Sequence, residues 1–261
     1  MYTPLLKSSR TLTDVPDPNL FHMHTHNNYE IYCFISGSAK YFVEGTVYNL
    51  RPRDILLIKK GEAHTLLIDD ARPYERIVIS YDAEAIPAAT REELCAFLDG
   101  RGLGENNCYS AAAFKDKHWY YYLNEICKTN DVSKKQAYLA VLLYELKEQY
   151  PNITSKDVYH DTTSELIHYI NEHLCENITL EQLCETFYIS KPHINRKFKQ
   201  VTGTTVWDYI KKKRLLKANA LLREGVRPTD AYLLCGFNDY STFYTAYRKE
   251  FHRSPKDDYV R

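Results

Sequence analysis

The sequence predicts an α+β protein of two domains, in which an antiparallel β-barrel or sandwich and several helices precede an all-α domain. Three observations lead to this prediction. Short β-rich runs separated by turns fill residues 29–81, helical periodicity begins after Pro87, and short helices with start signals follow from Thr162 onward. A chain of 261 residues is long enough for two domains with separate cores.

The β-rich region contains six predicted strands. Their high content of Tyr, Ile, Val and Phe favours strands, and turn residues such as Gly37-Ser38 and Glu44-Gly45 separate them. The runs are "EIYCFI", "AKYFVE", "TVYNL", "DILLI", "HTLLI" and "ERIVISY". Their close, regular spacing is typical of an antiparallel barrel or sandwich, which we assign to residues 1–86.

Residues 87–150 are predicted to form a helical connector. "REELCAFLDG" has helical spacing, "RGLGENN" is predicted as a loop, and two helices are predicted at 115–128 and 134–150. An apolar stripe of four leucines in the last helix either packs on the barrel or forms a dimer seam. The polar segment 151–161 begins with proline after Tyr150, which disfavours helix there, and is predicted to be a linker.

Composition excludes several classes of protein. No run approaches the roughly 18 apolar residues of a membrane helix, and the amino terminus lacks the apolar core of a secretory signal. We therefore expect no membrane partner and a cytoplasmic location. The seven cysteines are scattered and never form a C-x-x-C pair, which favours reduced, mostly buried thiols over zinc ligands or disulfides.

The net charge of zero conceals an asymmetry between the two halves of the chain. Residues 1–161 carry 18 Lys and Arg against 22 Asp and Glu, a balance of −4, whereas residues 162–261 carry 16 against 12, a balance of +4. The two ends are therefore predicted to face different partners.

The last 100 residues contain a series of predicted short helices, each with a start signal. The predicted caps are Thr163 or Ser164 for "ELIHYINEHL", Thr179 for "LEQLCETF", Ser190 for "KPHINRKFKQV" and Thr229 for "DAYLLCG", with Pro192 in the first turn of the third helix.

The helix "KPHINRKFKQV" is predicted to be the recognition helix of a helix-turn-helix. Ile194, Phe198 and Val201 would form its buried stripe, which leaves polar side chains on its other faces: His193, Asn195, Arg196 and Lys199. Arginine can pair with guanine and asparagine with adenine in the major groove. Between residues 186 and 217, nine basic residues face a single acid, so this segment should attract phosphate.

The pattern recurs in "DAYLLCGFNDYSTFYTAYRKEFHRSP", where Phe243 and Tyr247 have helical spacing. The joining segment "TTVWDYIKKKRLLKANALL" would span about 28 Å as a helix. That length is close to the ~34 Å between successive major-groove faces on one side of a duplex. Two DNA-reading units are therefore predicted, although a module that binds proteins remains an alternative.

The segments "ITLEQLCETFYISKPHINRKFKQVTGTTVWDYIKKKRLLKANALL" and "GFNDYSTFYTAYRKEFHRSPKDDY" closely resemble the DNA-binding domain of the AraC family of transcription regulators. The resemblance covers about the last 100 residues and implies a double helix-turn-helix domain over 162–261. It implies base contacts from Pro192, Asn195 and Arg196, with Lys191, His193 and Lys199 beside them, and from Tyr240, Ser241, Thr242 and Thr245 in the second unit.

The stretch "HMHTHNNYEIYCFISG" suggests a second site. His24 and His26 would share one face of a strand, while Glu30 and His64 could join them. Three imidazoles and a carboxylate suit Fe, Mn, Ni or Zn, and the spacing resembles the metal site of the cupin barrel. Four interpretations remain open: effector-binding groups, a metal that assists sensing, structural remnants, or a catalytic metal.

AraC-family sensor domains are similar to cupins in fold, and the resemblance implies a pocket for a small effector. The predicted effector-binding residues are His24, His26, Glu30, Tyr32 and His64, and the candidate metal ligands are the same set without Tyr32. Aromatic rings that could line the pocket, and that suit sugars or aromatic acids, belong to Tyr29, Tyr32, Tyr41, Tyr48 and Tyr74.

The sequence therefore predicts a ligand-responsive, sequence-specific DNA-binding transcription regulator with a cupin-like effector-sensing β-barrel, and no enzymatic activity. We expect several partners: double-stranded DNA, a small effector, a second copy of the chain and, if the protein activates transcription, RNA polymerase. No cofactor is required, although a divalent metal in the cupin-like pocket is conceivable. The alternative is a metal-dependent cupin enzyme, such as a dioxygenase or isomerase, with a regulatory DNA-binding tail.

Overall fold

The β-rich runs form two antiparallel sheets that share an apolar interior. The computed structural model describes residues 5–17, 21–114, 118–150, 158–159 and 162–260. Its strands are β1 Leu6–Thr13, β2 Tyr29–Ser36, β3 Ala39–Val43, β4 Thr46–Asn49, β5 Ile55–Ile58, β6 His64–Ile68, β7 Tyr74–Tyr81, β8 Cys108–Tyr109 and β9 Val158–Tyr159. The sheets have the orders β1-β7-β2-β5-β8 and β6-β3-β4-β9.

All six predicted strands are present, and three further strands extend the sheets. β1 pairs with β7 over its full length, and β8 follows the predicted loop 101–107. β9 lies inside the predicted linker 151–161 and pairs with β4, so that prediction is wrong at residues 158–159. The rest of the predicted linker lies outside the described residues.

Strand β2 is buried on both faces, and this burial explains why its sequence is almost continuously apolar. Ile31 and Cys33 belong to a core shared with the helices, whereas Tyr32 and Phe34 belong to the interior between the sheets. The helices of this unit are α1 Ala88–Asp99, α2 His118–Lys128 and α3 Val132–Gln149. The leucine stripe of α3 is buried in the shared core, so of its two predicted roles the structure shows packing within the chain.

The chain divides into two units, residues 1–159 and 160–261. The second unit contains α4 Thr162–Glu172, α5 Leu180–Phe187, α6 Lys191–Thr202, α7 Val206–Arg223, α8 Pro228–Leu234, α9 Tyr240–Phe251 and α10 Pro255–Asp258. Ile194 and Phe198 of α6 are buried as predicted, but Thr202 is buried and Val201 only half-buried. Among the described helices, none is both long and apolar enough to cross a membrane.

The predicted helix starts are correct in part. Thr179 caps α5 through a reciprocal capping box with Gln182. Ser190 precedes α6, although its side chain makes no capping bond. Thr163 and Ser164 do not cap α4, because the helix already includes both and buries them. Thr229 also lies inside its helix, since Pro228 takes the first helical position, where its missing N–H costs nothing.

Candidate effector and DNA-binding sites

Three histidines of the first unit, His24, His26 and His64, are brought together by backbone pairing. The N–H of His24 donates to the carbonyl of His64 (3.1 Å), and the N–H of His64 donates back to that of His24 (3.0 Å). The carbonyl of His26 accepts from the N–H of Gly61 (2.9 Å). The segment before β2 is thereby held against the start of β6.

The side chains of these residues form one compact cluster. The ring centroids lie 4.3 Å apart for His24 and His64, 4.9 Å for His26 and His64, and 6.0 Å for His24 and His26. One ring nitrogen from each lies within 4.8 Å of the others. The fourth predicted member, Glu30, places Oε2 3.3 Å from Nε2 of His26. His64 is fully buried, whereas His24 is exposed to solvent.

The local backbone fixes which ring nitrogen of each histidine carries hydrogen. Nδ1 of His24 lies 3.0 Å from the carbonyl of His22, Nδ1 of His26 lies 2.9 Å from that of Asn28, and Nδ1 of His64 lies 2.9 Å from that of Glu62. A carbonyl oxygen can only accept, so each Nδ1 must donate. In each neutral ring Nε2 is therefore left with a free lone pair.

Burial and charge shape the cluster further. Burial lowers the pKa of His64 to about 3, so this ring is neutral at physiological pH. Burial alone would raise the pKa of Glu30, but the hydrogen bond with His26 and the neighbouring histidines outweigh it, and the net shift is downward. The cluster therefore contains a neutral buried imidazole near an ionised carboxylate.

Tyrosine side chains continue from the cluster into the interior between the sheets. The hydroxyl of Tyr41 donates to Glu30 (3.4 Å), and its ring lies 4.4 Å from that of Tyr32. The hydroxyls of Tyr32 and Tyr74 share a hydrogen bond. Tyr48 belongs to the same interior. The expectation for Tyr29 is wrong, because it faces the helices and donates to Asp99 (2.7 Å).

A buried polar network next to the cluster was not predicted. The carboxylate of Glu62 accepts from the N–H of Lys59 (2.8 Å), the N–H of Gly104 (3.1 Å) and the amide of Asn107 (2.9 Å). The guanidinium of Arg101 lies 3.8 Å away. This network holds the loop 101–107 against the barrel and supports the strand that carries His64. Its only sequence signal is a set of polar residues in turns.

In the second unit, α6 presents the predicted polar residues to solvent. Lys191, Pro192, Arg196 and Lys199 are exposed, and His193 and Asn195 are half-buried. The amide of Asn195 donates to the carbonyl of Lys191 (3.3 Å), and Arg196 lies 3.2 Å from the ring of His193. Both contacts lie at the surface, where a base edge could replace them.

Folding buries most residues of the basic segment or gives them a partner within the chain. Of its nine basic residues, Lys191 pairs with Glu181, and Lys211 and Lys212 pair with carboxylates at 3.0 and 3.3 Å. Lys213 is buried, Lys217 lies 3.1 Å from the Cys175 sulfur, and Arg214 donates to backbone carbonyls. The remaining three, Arg196, Lys197 and Lys199, make no ion pair within the described part of the chain. All three lie on α6.

The second predicted recognition helix, α9, has a similar division of faces. Phe243 and Tyr247 are buried, as predicted. The predicted contact residues are exposed: Tyr240, Ser241, Thr242 and Thr245. Asp239 caps this helix by accepting from the N–H of Thr242 (2.7 Å). The exposed face of α9 therefore offers hydroxyl groups rather than charges near its start.

Arg214 on α7 connects the two helix-turn-helix units. Its guanidinium donates to the carbonyls of Leu174 (2.8 Å) and Glu176 (2.7 Å), which follow α4, and to that of Gly236 (2.7 Å), which follows α8. In the sequence, this residue is one of the nine basic residues that are predicted to attract phosphate. Nothing in the "KKKR" run distinguishes it, because its carbonyl partners come from distant positions.

Comparisons with known proteins agree with this division into two units. Residues 13–97 match the model of an AraC-like ligand binding domain, and residues 183–258 match that of a helix-turn-helix domain. The uncharacterized HTH-type transcriptional regulator YbfI of Bacillus subtilis is 27% identical over 232 residues, which are 86% of this chain and 80% of that protein.

Two other matches are more limited. The HTH-type transcriptional activator RhaS of Citrobacter koseri is 36% identical over 95 residues, which are 36% of this chain and only 34% of that protein. The crystal structure of ToxT from Vibrio cholerae aligns over 97% of both chains with 15% identity and a TM-score of 0.41.

Proposed function

The chain belongs to the AraC family of transcription regulators, and from this premise we propose that it binds specific DNA sequences through α6 and α9 under the control of a small effector. Its relatives are transcription regulators rather than enzymes, so the alternative of a cupin enzyme with a DNA-binding tail receives no support from them. The observation that carries the proposal is the set of unpaired positive charges on α6.

The proposed role of α6 follows from its chemistry. Arg196 would pair with guanine and Asn195 with adenine in the major groove. Lys191 and Lys199 would contact phosphates on either side, with Pro192 and His193 packed between them and the duplex. Lys191 would have to leave Glu181 to do so, which makes Lys199 the stronger phosphate ligand.

The proposed role of α9 is to read a second site with fewer charges. Its exposed hydroxyls belong to Tyr240, Ser241, Thr242 and Thr245, and hydroxyl groups can donate to or accept from either base pair. The connecting helix α7 has 18 residues and is about 27 Å long. This length supports contact with two successive major-groove faces on one side of the duplex.

The proposed effector site is the interior reached through the histidine cluster. It combines a carboxylate, imidazoles and tyrosine hydroxyls, of which Glu30, His26, His64 and Tyr32 are the candidates to bind the effector, with His24 at the surface. Such groups suit a polyhydroxylated ligand, so we propose a carbohydrate. The effector would regulate DNA binding only if its affinity differs between the DNA-bound and free arrangements.

The proposed partners follow from this role. Binding as a homodimer would engage two half-sites, and RNA polymerase would be contacted if the protein activates transcription. The leucine stripe of α3 is buried within the chain, so a dimer would have to use another surface, such as exposed Tyr121 and Val141 on α2 and α3. Analytical sedimentation of the purified chain measures its oligomeric state directly. A DNA-binding role also places the protein in the cytoplasm.

The DNA-binding proposal is tested by selecting duplexes from a random pool and measuring their affinity by fluorescence anisotropy at several salt concentrations. Arg196→Ala should weaken binding to the selected duplex by about 1–3 kcal/mol and should relax the base preference at one base pair. Lys199→Ala should lower the salt slope by about 1, with base preference unchanged. Lys128→Ala, which removes an exposed lysine from the other unit, is the matched control.

Retention of both affinity and base preference in the Arg196→Ala protein would contradict the assignment of α6. A salt-independent interaction would contradict DNA binding itself and favour a protein-interaction module. The salt slope of the wild type is also informative. Phosphate contacts made by the two unpaired lysines of α6, Lys197 and Lys199, would alone give a slope near −1.8, since each phosphate neutralised contributes about −0.9.

The effector proposal is tested by a thermal-shift screen of sugars and small organic acids on the full chain. We expect a sugar to raise the melting temperature, and Tyr32→Phe to reduce the shift because it removes an interior hydroxyl. Tyr121→Phe, which changes an exposed tyrosine on α2, is the control. A shift given only by apolar or aromatic acids would replace the carbohydrate assignment.

A further inference from the structure

The interior between the two sheets contains an arginine. Side chains alternate along β7, so that Ile77 joins the core shared with the helices, whereas Tyr74 and Val78 face the interior between the sheets. Arg76 belongs to the second series. Its guanidinium carbon lies 5.3 Å from the centroid of the Tyr74 ring and 5.8 Å from that of the Phe21 ring. The strand therefore places a positive charge among aromatic rings of the interior.

This arginine has no acidic partner within the described part of the chain. Arg76 is half-buried, and its neighbour Glu75 lies on the other face of β7, where it pairs with Arg10 (2.7 Å). Arg72, just before the strand, is exposed and pairs with Asp70 (2.6 Å). Aromatic rings hold a cation in place but do not neutralise it, and a charge withdrawn from water needs a compensating charge. An anion is the partner that would complete the site.

The positive charge acts on the hydroxyl groups of the interior. Burial raises the pKa of Tyr32, Tyr41 and Tyr74. A nearby positive charge opposes this rise in each tyrosine, and Arg76 supplies it. The hydroxyls of Tyr32 and Tyr74 share a hydrogen bond, and that of Tyr41 donates to Glu30 (3.4 Å). Tyrosine hydroxyls therefore occupy the space between a guanidinium and a carboxylate.

The two charges lie at different levels of the interior. Along the pairing of β2 with β7, Phe34 is opposite Arg76 and Glu30 is opposite Ser80. The step from Glu30 to Phe34 corresponds to about 13 Å of extended strand. An anionic group would be attracted toward Arg76 and repelled from Glu30, which gives a ligand with one anionic end a single favoured orientation.

We propose that Arg76 binds a carboxylate of the effector and that the effector is a sugar acid, an inference that rests on the effector site proposed above. A guanidinium binds a carboxylate through two parallel N–H···O bonds, which a neutral sugar cannot accept in the same way. The sugar hydroxyls would exchange hydrogen bonds with the tyrosine hydroxyls, and Glu30 would accept from those farthest from the carboxylate. An aliphatic acid would satisfy Arg76 alone.

The test compares sugar acids with neutral sugars of the same stereochemistry. The full chain, free of DNA, is titrated by calorimetry with D-galacturonate, D-glucuronate and D-gluconate, and with D-galactose and D-glucose as their neutral counterparts. Hexanoate supplies a carboxylate without hydroxyl groups. We expect a sugar acid to bind at least about tenfold more tightly than its neutral counterpart and than hexanoate, because only the sugar acid engages both Arg76 and the hydroxyl groups.

Two variants of one residue separate charge from geometry. Arg76→Gln should weaken binding of the sugar acid by at least about tenfold and leave the affinity for the neutral sugar unchanged. Arg76→Lys keeps the charge but not the paired donors, so its affinity for the acid should fall between the two. Arg72→Gln is the matched control, since it removes an exposed arginine just before the same strand and should bind as the wild type does. Circular dichroism checks that each variant folds, and Arg76→Lys decides if Arg76→Gln does not.

The proposal is overturned if neutral sugars or hexanoate bind as tightly as the sugar acids, or if the Arg76 variants bind the acid as well as the wild type does. Equal loss in Arg72→Gln would also overturn it. Each of these results leaves the effector site in place with another ligand or another anchoring residue. Absence of binding by every compound would overturn the effector site as well, and the DNA-binding proposal would still stand.

Discussion

Replacement of Arg214 by methionine tests whether one charged side chain holds the two helix-turn-helix units together. The guanidinium donates three hydrogen bonds to carbonyls, two after α4 and one after α8. Methionine keeps most of the aliphatic stem but donates none of these bonds. The carbonyls of Leu174, Glu176 and Gly236, which follow the two helices, would then lose this donor.

The expected cost follows from the number and exposure of these bonds. A hydrogen bond from a charged donor contributes about 1.5–3 kcal/mol, but the arginine is only half-buried, so water replaces part of each contribution. Burial lowers the pKa of Arg214, which shows that desolvation offsets a further part. We therefore expect a loss of about 2–4 kcal/mol, a large share of the 5–15 kcal/mol typical of a domain.

Native-state hydrogen exchange measures this loss for the second unit alone, since peptides from residues 162–260 report its opening free energy separately. Lys211→Met is the matched control, because it removes a neighbouring basic residue whose exposed ion pair contributes less than about 0.5 kcal/mol. We also expect Arg214→Met to weaken binding to duplexes that engage both α6 and α9. Equal opening free energies for the two variants would refute the role given to Arg214.

Further predictions concern caps, turns and a buried thiol. Thr179→Ala should destabilise the second unit by about 1 kcal/mol in hydrogen exchange, whereas Ser190→Ala, at a cap without a side-chain bond, should cost less than half of that. Gly236→Ala should lower the melting temperature more than Gly61→Ala. Both have positive φ, but only the first would place Cβ 2.7 Å from a carbonyl oxygen. Burial raises the pKa of Cys235 to about 12, so stability should fall as pH rises from about 8.5 toward 12, and urea titrations of Cys235→Ala should show a shallower fall.

The fold was largely predictable because strands and helices follow from local patterns. The six predicted strands have alternating or continuous apolar residues bounded by turns, and they form as expected. β1 was missed because "LKSSRTLT" is mostly polar, as suits a strand at the edge of a sheet. β9 has only two residues and forms through pairing with β4, a long-range contact that no local pattern shows.

The candidate sites were predictable in their members but not in their electrostatics. The spacing of His24 and His26 correctly suggested that they lie together with His64. The direction of each Nδ1 toward a carbonyl depends on the backbone path through the cluster, which the sequence does not specify. The same limit applies to the charges, since Glu250 is the ion-pair partner of Lys212 across a separation that only folding closes.

In both units, polar satisfaction separates structural groups from candidate functional ones. Glu62 is an acidic residue that is fully buried, and Arg214 is a basic residue that is half-buried. Such burial by itself suggests function, but each side chain is bound by several partners and so maintains the fold. The Nε2 atom of His64 is different, because it is buried and has no hydrogen-bond partner within the described residues. On α6 the reverse holds, since Arg196 and Lys199 are exposed and make no ion pair within the described part of the chain. Polar groups without internal partners in the described part of the chain are those whose partners are best sought outside it, as phosphates and base edges for α6.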